Sequence, residues 1–312
     1  VGSEMCIRDR YTLGYYNTFK LLFYITLTGY HMTTMRTFLL MLALTMLIVF
    51  ICIGVWGSAG ANLGIGIAVV TNLLSYWFAD KAVIAMTGAR ELRPGEYPQL
   101  APIVQRLANT AGLPMPKLYV LDTAEPNAFA TGRDPEHSAV AVTTGIMNSL
   151  SQAELTGVIA HELAHIKHRD ILISAIAATM AGIISQFAYV LRFSGLGTNR
   201  NNSRTNPLAV IGIVLVAPLA ATLIRLGISR EREFAADEGG ASFSQDPMAL
   251  ASALAKIEQI SSQSPININP STASLFIINP FSSQRILSLF STHPPTQERI
   301  ERLRALAQQK NP

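Results

Sequence analysis

Charge is scarce in this sequence. Asp, Glu, Lys and Arg make up 14% of its 312 residues, against roughly 25% in an ordinary soluble domain. The hydrophobic fraction is 49%. Such a balance excludes a disordered chain and fits a protein that is part membrane and part soluble. The length allows about two domains. Cysteine is almost missing. Cys6 and Cys52 are the two present, and they form neither a disulfide framework nor a Cys-x-x-Cys metal site. Any metal must therefore be held by histidine and carboxylate. No recognition helix, zinc finger or aromatic-basic ribonucleoprotein pattern accompanies the net charge of +4, so nucleic acid is not an expected partner. The basic residues cluster beside hydrophobic runs, where they set topology. No internal repeat occurs.

The hydrophobic residues are gathered into long runs. Residues 37–55 are nearly all apolar and end at Trp56, and residues 59–78 form a second run behind a short Gly57-Ser58 connection. Both are long enough to span a bilayer, and together they predict a transmembrane helical hairpin over 35–80. No cleavage-like end follows the first run, which argues against a signal peptide. Arg36 precedes the hairpin, Lys81, Arg90 and Arg93 follow it, and its connection is uncharged. By the positive-inside rule both outer ends are cytoplasmic. Residues 1–34 carry no such pattern and are expected to be a non-native or disordered extension, with the natural start at Met32 or Met35.

Residues 81–170 read as a soluble segment with an α+β pattern. Helical periodicity covers 98–111. Short strands are expected at 117–121, 127–131 and 139–143. A helix over 151–169 opens with Ser151 and Glu154, a capping-box spacing. Two further apolar runs, 171–191 and 208–228, are expected to span, although Arg200 and Arg204 between them would then lie outside. Residues 229–312 are mostly helical, with a Ser/Asn/Pro-rich loop at 261–278.

The chemistry centres on His161-Glu162-Leu163-Ala164-His165. Histidines four apart share one helix face and can ligate one ion. Zinc acidifies water, and Glu162 is placed to accept its proton. The residues before the motif are small or apolar, so the helix should be buried, and buried charge needs a reason. A catalytic zinc needs a third protein ligand. His168 sits one turn too far along a straight helix. Glu233 lies four residues before Asp237 on a second helix, so that a carboxylate ligand would be followed by an acceptor for a ligating imidazole. Glu231 competes with Glu233, but its spacing to Asp237 is wrong for one face.

These strings together resemble the HtpX family of membrane metalloproteases, related to the CAAX prenyl proteases. The resemblance runs from about Met35 to the C-terminus. It rests on the hydrophobic hairpin, PNAFATG at 126–132, GVIAHELAHIKHRD at 157–170, SREREFAAD at 229–237 and LFSTHPPTQERIERL at 289–303. It implies one Zn2+ per chain on His161, His165 and Glu233, with Glu162 as base and Asp237 as partner to a ligand. It implies that His293 stabilises the oxyanion, that Arg299 braces the ligand glutamate, and that Asn127, Ala128 and Phe129 belong to an edge strand pairing with extended substrate. It also implies residence in a bacterial inner membrane, multi-pass, with the active site facing the cytoplasm. There it would act in quality control, with unfolded or misfolded membrane proteins as substrates and the bilayer as partner.

The expected architecture is a mainly α membrane protein: a transmembrane hairpin plus an α+β zincin-like metalloprotease domain with two further hydrophobic helices. A protease cutting inside the bilayer is disfavoured, because Lys167, His168, Arg169 and Asp170 place the motif at the membrane surface. A zinc-stabilised scaffold has no use for Glu162. A prenyl-protein protease would need more spans than this chain offers.

Overall fold

The computed structural model describes residues 35–178, apart from 36, 40, 51 and 54–56, together with 230–263, 277 and 294–310. The expectations for residues 1–34, for 208–228, for most of 171–191 and for His293 fall outside these.

Two apolar helices open the described chain, α1 (Thr37–Phe50) and α2 (Ala59–Trp77). Among the described residues α2 alone is long and apolar enough to cross a membrane; α1 is shorter. The two pack closely through small residues. A Cβ on Gly60 would lie 2.1 Å from the Cys52 carbonyl oxygen, and one on Gly64 would lie 2.8 Å from the Val49 Cα. Asn72 of α2 donates to the Thr45 hydroxyl at 2.8 Å. Small residues one turn apart are a common device for close helix contact in an apolar medium. The opposite faces carry exposed Phe38, Leu42, Met46, Phe50, Leu63, Ile67, Val70 and Leu74.

Helix α3 (Ala79–Thr87) leads into a four-stranded sheet of order β1-β2-β4-β3, formed by β1 (Arg90–Glu91), β2 (Lys117–Leu121), β3 (Ala128–Gly132) and β4 (Ser138–Thr143). β2 and β4 run parallel, whereas β1 and β3 are antiparallel to their neighbours. Strand alternation divides the side chains between two covered faces. Val120, Ala128, Ala130, Val140 and Val142 join the main core with α4 (Leu100–Ala111) and α6 (Gln152–Lys167). Tyr119, Phe129 and Ala141 face the other way, onto Val83 of α3 and onto Ala175 and Ala178. A near-continuous apolar strand such as AVAVT fits burial on both faces.

α5 (Thr144–Ser149) follows β4 directly, with the Thr143 hydroxyl accepting from the Ile146 N–H at its start. α6 begins at the capping box foreseen from Ser151 and Glu154 and closes at Lys167, two residues before the expected end. A further helical stretch covers 171–178, and its Ile173 and Ile176 pack with Leu44, Ile48, Cys52 and Ala68 of the α1–α2 pair. After the undescribed segment come α7 (Arg230–Ser244), α8 (Pro247–Gln263) and α9 (Thr296–Lys310). The helix α8 continues to Gln263, past the Ser261 where a loop was expected, because Ile257 still anchors it in the core.

Candidate active site

The centre lies where α6 and α7 cross at unusually short range. A Cβ on Gly240 of α7 would stand 2.9 Å from the His161 nitrogen, and one on Gly239 would stand 2.9 Å from the Ala164 Cβ. The Gly239-Gly240 pair therefore has a packing purpose inside a helix, where glycine otherwise costs stability. Sequence reasoning passed over it, yet paired glycines in a helical pattern are a readable sign of close approach.

This crossing brings His161, His165 and Glu233 together, with their ligating atoms within 4.8 Å of one another. The two Nε2 atoms are 3.2 Å apart. Glu233 Oε2 lies 3.8 Å from His161 Nε2, and Glu233 Oε1 lies 3.7 Å from His165 Nε2. A tetrahedral ion with bonds near 2.05 Å would space its ligand atoms by about 3.3 Å, so the triangle has nearly the size such an ion requires. Glu231 is exposed on the surface of α7, which separates the two candidate glutamates by burial. His168 ends α6 beside Gly239, away from the triangle.

Charge gives a second test of fit. Around the triangle lie the buried carboxylates Glu162, Asp170, Glu233 and Asp237, against the guanidiniums of Arg299 and Arg232. With every carboxylate ionised and both imidazoles neutral, as metal binding requires, two negative charges are left over among these groups, and a divalent cation would neutralise them.

Each ligating side chain has a partner on its far side. Asp237 Oδ1 lies 3.0 Å from His161 Nδ1. Arg299 grips Asp237 with two bonds, Nε to Oδ2 at 2.9 Å and Nη2 to Oδ1 at 2.7 Å. Its Nη1 donates to the Ile277 carbonyl at 2.9 Å and stands 3.7 Å from Glu233 Oε2. The main grip of Arg299 is therefore on Asp237, with Glu233, the partner expected for it, at the longer range. Asp170, which the sequence reading did not connect with the metal, places Oδ2 3.4 Å from His165 Nδ1.

Glu162 is 5% exposed, and its Oε2 accepts the Ala130 N–H at 2.8 Å. Burial pushes its carboxyl up to about 7, against the pull of neighbouring His165. Burial likewise brings His161 down to about 4. In His165 burial works the same way but is outweighed by the Asp170 hydrogen bond and the charges of Glu233 and Glu162, which bring it up to about 9.

The Ala130 contact fixes how β3 is presented. Hydrogen-bonded pairs alternate along an antiparallel ladder. The Asn127 carbonyl accepts from Thr143, and in this register Phe129 faces Ala141. Asn127 and Phe129 therefore spend their main-chain groups on β4, while those of Ala128 and Ala130 turn away from it, the Ala130 N–H onto Glu162. Asn127 is also committed through its side chain, whose oxygen accepts from the Ile277 N–H at 3.0 Å. Of the three residues expected to pair with substrate, Ala128 alone turns its main-chain groups away from β4, as does Ala130, whose N–H goes to Glu162.

Residues 94–307, which include His161, Glu162, His165 and Glu233, match Peptidase family M48. The chain is 51% identical over 276 residues to the Protease HtpX homolog of Ralstonia pickettii, covering 88% of this chain and 96% of that protein. It is 50% identical over 275 residues to the Protease HtpX homolog of Burkholderia thailandensis, covering 87% of this chain and 96% of the relative. It is similar in structure to S. mikatae Ste24p at 22% identity and a TM-score of 0.44, over 75% of this chain and 56% of that one. With the matched region spanning β2, β3 and β4, the crossing helices and every residue of the triangle, the chain belongs to peptidase family M48 and is a metalloprotease.

Proposed function

We propose that this protein is a zinc endopeptidase of a bacterial inner membrane, acting at the cytoplasmic surface on unfolded or misfolded membrane proteins. The observation that carries the proposal is the donor triangle of His161, His165 and Glu233 with Glu162 beside it, held by the Ala130 N–H of β3. Two imidazoles and one carboxylate suit zinc and leave a fourth position for water or substrate. When bound, the ion polarises the scissile carbonyl and acidifies water.

The chain's own residues supply the rest. Asp237 accepts from His161 Nδ1, which leaves Nε2 unprotonated and aimed at the centre. The main-chain groups of Ala128 and the carbonyl of Ala130, on the side of β3 away from β4, hold an extended substrate, so backbone rather than side chain is recognised. That suits a protease that meets many unfolded sequences. Glu162 takes a proton from the attacking water and delivers it to the leaving amine. By the family resemblance, His293 would donate to the developing oxyanion.

The placement in the membrane is supported by the apolar faces of α1 and α2, which have no counterpart in a water-facing helix pair. The site lies close to that surface. Trp77 ends α2 under the Arg133 guanidinium, 4.8 Å from the ring centre, and Arg133 follows β3 directly. The helical start at 171–178, packed on α1 and α2, supports a third span beside the hairpin.

The test uses the full chain purified in detergent with a chelator, then loaded with zinc and given casein. Hydrolysis should require zinc and fall at least about a hundredfold in Glu162→Gln, with one zinc per chain retained. Equal hydrolysis by both proteins would remove Glu162 as the base.

A further inference from the structure

We infer that Asp170 is a positioning residue for the metal site, holding His165 by Nδ1 and tying that ligand to the helix that starts behind it. This rests on the proposed ligand role of His165. Three observations carry it.

The first is the backbone at Arg169, which has φ +60°, a left-handed conformation that a long side chain adopts at a cost. That one residue reverses the chain as α6 ends. The Asp170 N–H then donates back to the His165 carbonyl at 3.0 Å, and the Asp170 side chain folds under the imidazole. The Arg169 N–H donates to the Ile166 carbonyl at 3.1 Å as well, so α6 closes in the paired-bond turn common at helix ends, here with arginine where glycine is usual.

The second is what the carboxylate does. Asp170 starts the helical stretch at 171–178, and its carbonyl accepts from the Ser174 N–H at 3.2 Å. An aspartate at a helix start ordinarily turns its side chain onto the first amides of its own helix. Here Oδ2 faces His165 Nδ1 at 3.4 Å, and Oδ1 faces Arg232 Nη1 at 3.5 Å. The side chain is only 6% exposed, so its charge is held inside the protein for the sake of these two groups.

The third is symmetry of purpose. His161 has Asp237 behind its Nδ1, steadied by Arg299. His165 has Asp170 behind its Nδ1, steadied by Arg232. Each imidazole is thus backed by a buried carboxylate and each carboxylate by an arginine. The two supports come from opposite sides. Asp237 belongs to α7, while Asp170 belongs to the stretch whose Ile173 and Ile176 pack against α1 and α2. The orientation of one ligand therefore depends on how the apolar helices are seated.

The experiment reads metal binding rather than hydrolysis. The full chain carrying Glu162→Gln, which suppresses self-cleavage, is compared with the same chain carrying Asp170→Ser or Asp170→Asn. Zinc affinity is measured by chelator competition, Co2+ geometry by the visible absorption of the loaded protein, and folding by the melting of the metal-free form. Serine can still cap the helix start but cannot reach the ring. It should lower zinc affinity by about 10–100-fold and alter the Co2+ spectrum, with the metal-free form still melting cooperatively, at a lower temperature because Arg232 loses its partner. Asparagine keeps the size and loses the charge, so it should fall between, and it gives the same reading if serine unsettles the turn. Affinities within about twofold of the parent in both variants would overturn the inference and leave Asp170 a helix cap. A parent chain that binds no zinc would overturn both this inference and the function it rests on.

Discussion

Arg299 shows how much one side chain can decide. It is 1% exposed and stands among Asp237, Glu233 and His161, with the Ile277 carbonyl taking its remaining nitrogen. A guanidinium suits this place because its planar fork matches a carboxylate with two parallel bonds, which an ammonium cannot do. Breaking a buried pair from one side leaves the other charge without compensation, at a cost of about 3–5 kcal/mol. Arg299→Met should therefore lower the stability of the metal-free protein by an amount in that range, measured by denaturant melting in detergent. Arg299→Lys should recover only part of the stability and leave zinc affinity below the parent. Full recovery by lysine would mean that charge alone, and not the fork, holds Asp237.

At the scale of elements, α6 is the best-specified helix in the protein. Its capping box is complete, with Ser151 N–H donating to Glu154 at 2.8 Å and Ser151 Oγ accepting in return. Glu154 also reaches α8, where Ser252 and Lys256 donate to it at 2.8 and 3.2 Å. Burial by itself would raise the Glu154 carboxyl, but the bonds from Ser151, Ser252 and Lys256 outweigh it and bring it down to about 2. A carboxyl lower in the folded than in the unfolded chain contributes stability above the unfolded value near 4.5, and that contribution is lost as pH falls toward 2. Melting of the metal-free protein should drop as pH goes from about 5 to 3. Glu154→Gln should melt lower at pH 6 and show a shallower fall. Parallel falls in the two proteins would mean that this link is not the acid-sensitive one.

At the scale of the molecule, the site stands between two kinds of packing. On one side α6, α7, α8 and α9 form the core that holds the ligands. On the other, α3 and the 171–178 stretch cover the outer face of the sheet and lead to the α1–α2 pair. The membrane reading makes a definite prediction about sidedness. With native cysteines removed, a cysteine placed at Asn201 should react with a membrane-impermeant reagent from the periplasmic side of intact cells. One placed at exposed Ser262, near the end of α8, should react only after the membrane is opened. Both reacting from the same side would mean that the runs at 171–191 and 208–228 do not form a pair of spans.

Much of this site is legible in the sequence because its spacing is local. His161, Glu162 and His165 share a helix, and so do Glu233 and Asp237, so helical geometry alone puts each set on one face. The apolar hairpin and the strands at 117–121 and 139–143 are equally local, since composition and alternation decide them. Long-range packing decided the rest. Only the crossing of α6 on α7, permitted by Gly239 and Gly240, brings Glu233 rather than Glu231 to the histidines. Only the antiparallel register turns Ala128 and Ala130, instead of Asn127 and Phe129, away from β4. Only the left-handed turn at Arg169 folds Asp170 back beneath His165. Sequence periodicity records which face a residue occupies, whereas the partner that face meets is fixed by contacts between segments far apart in the chain.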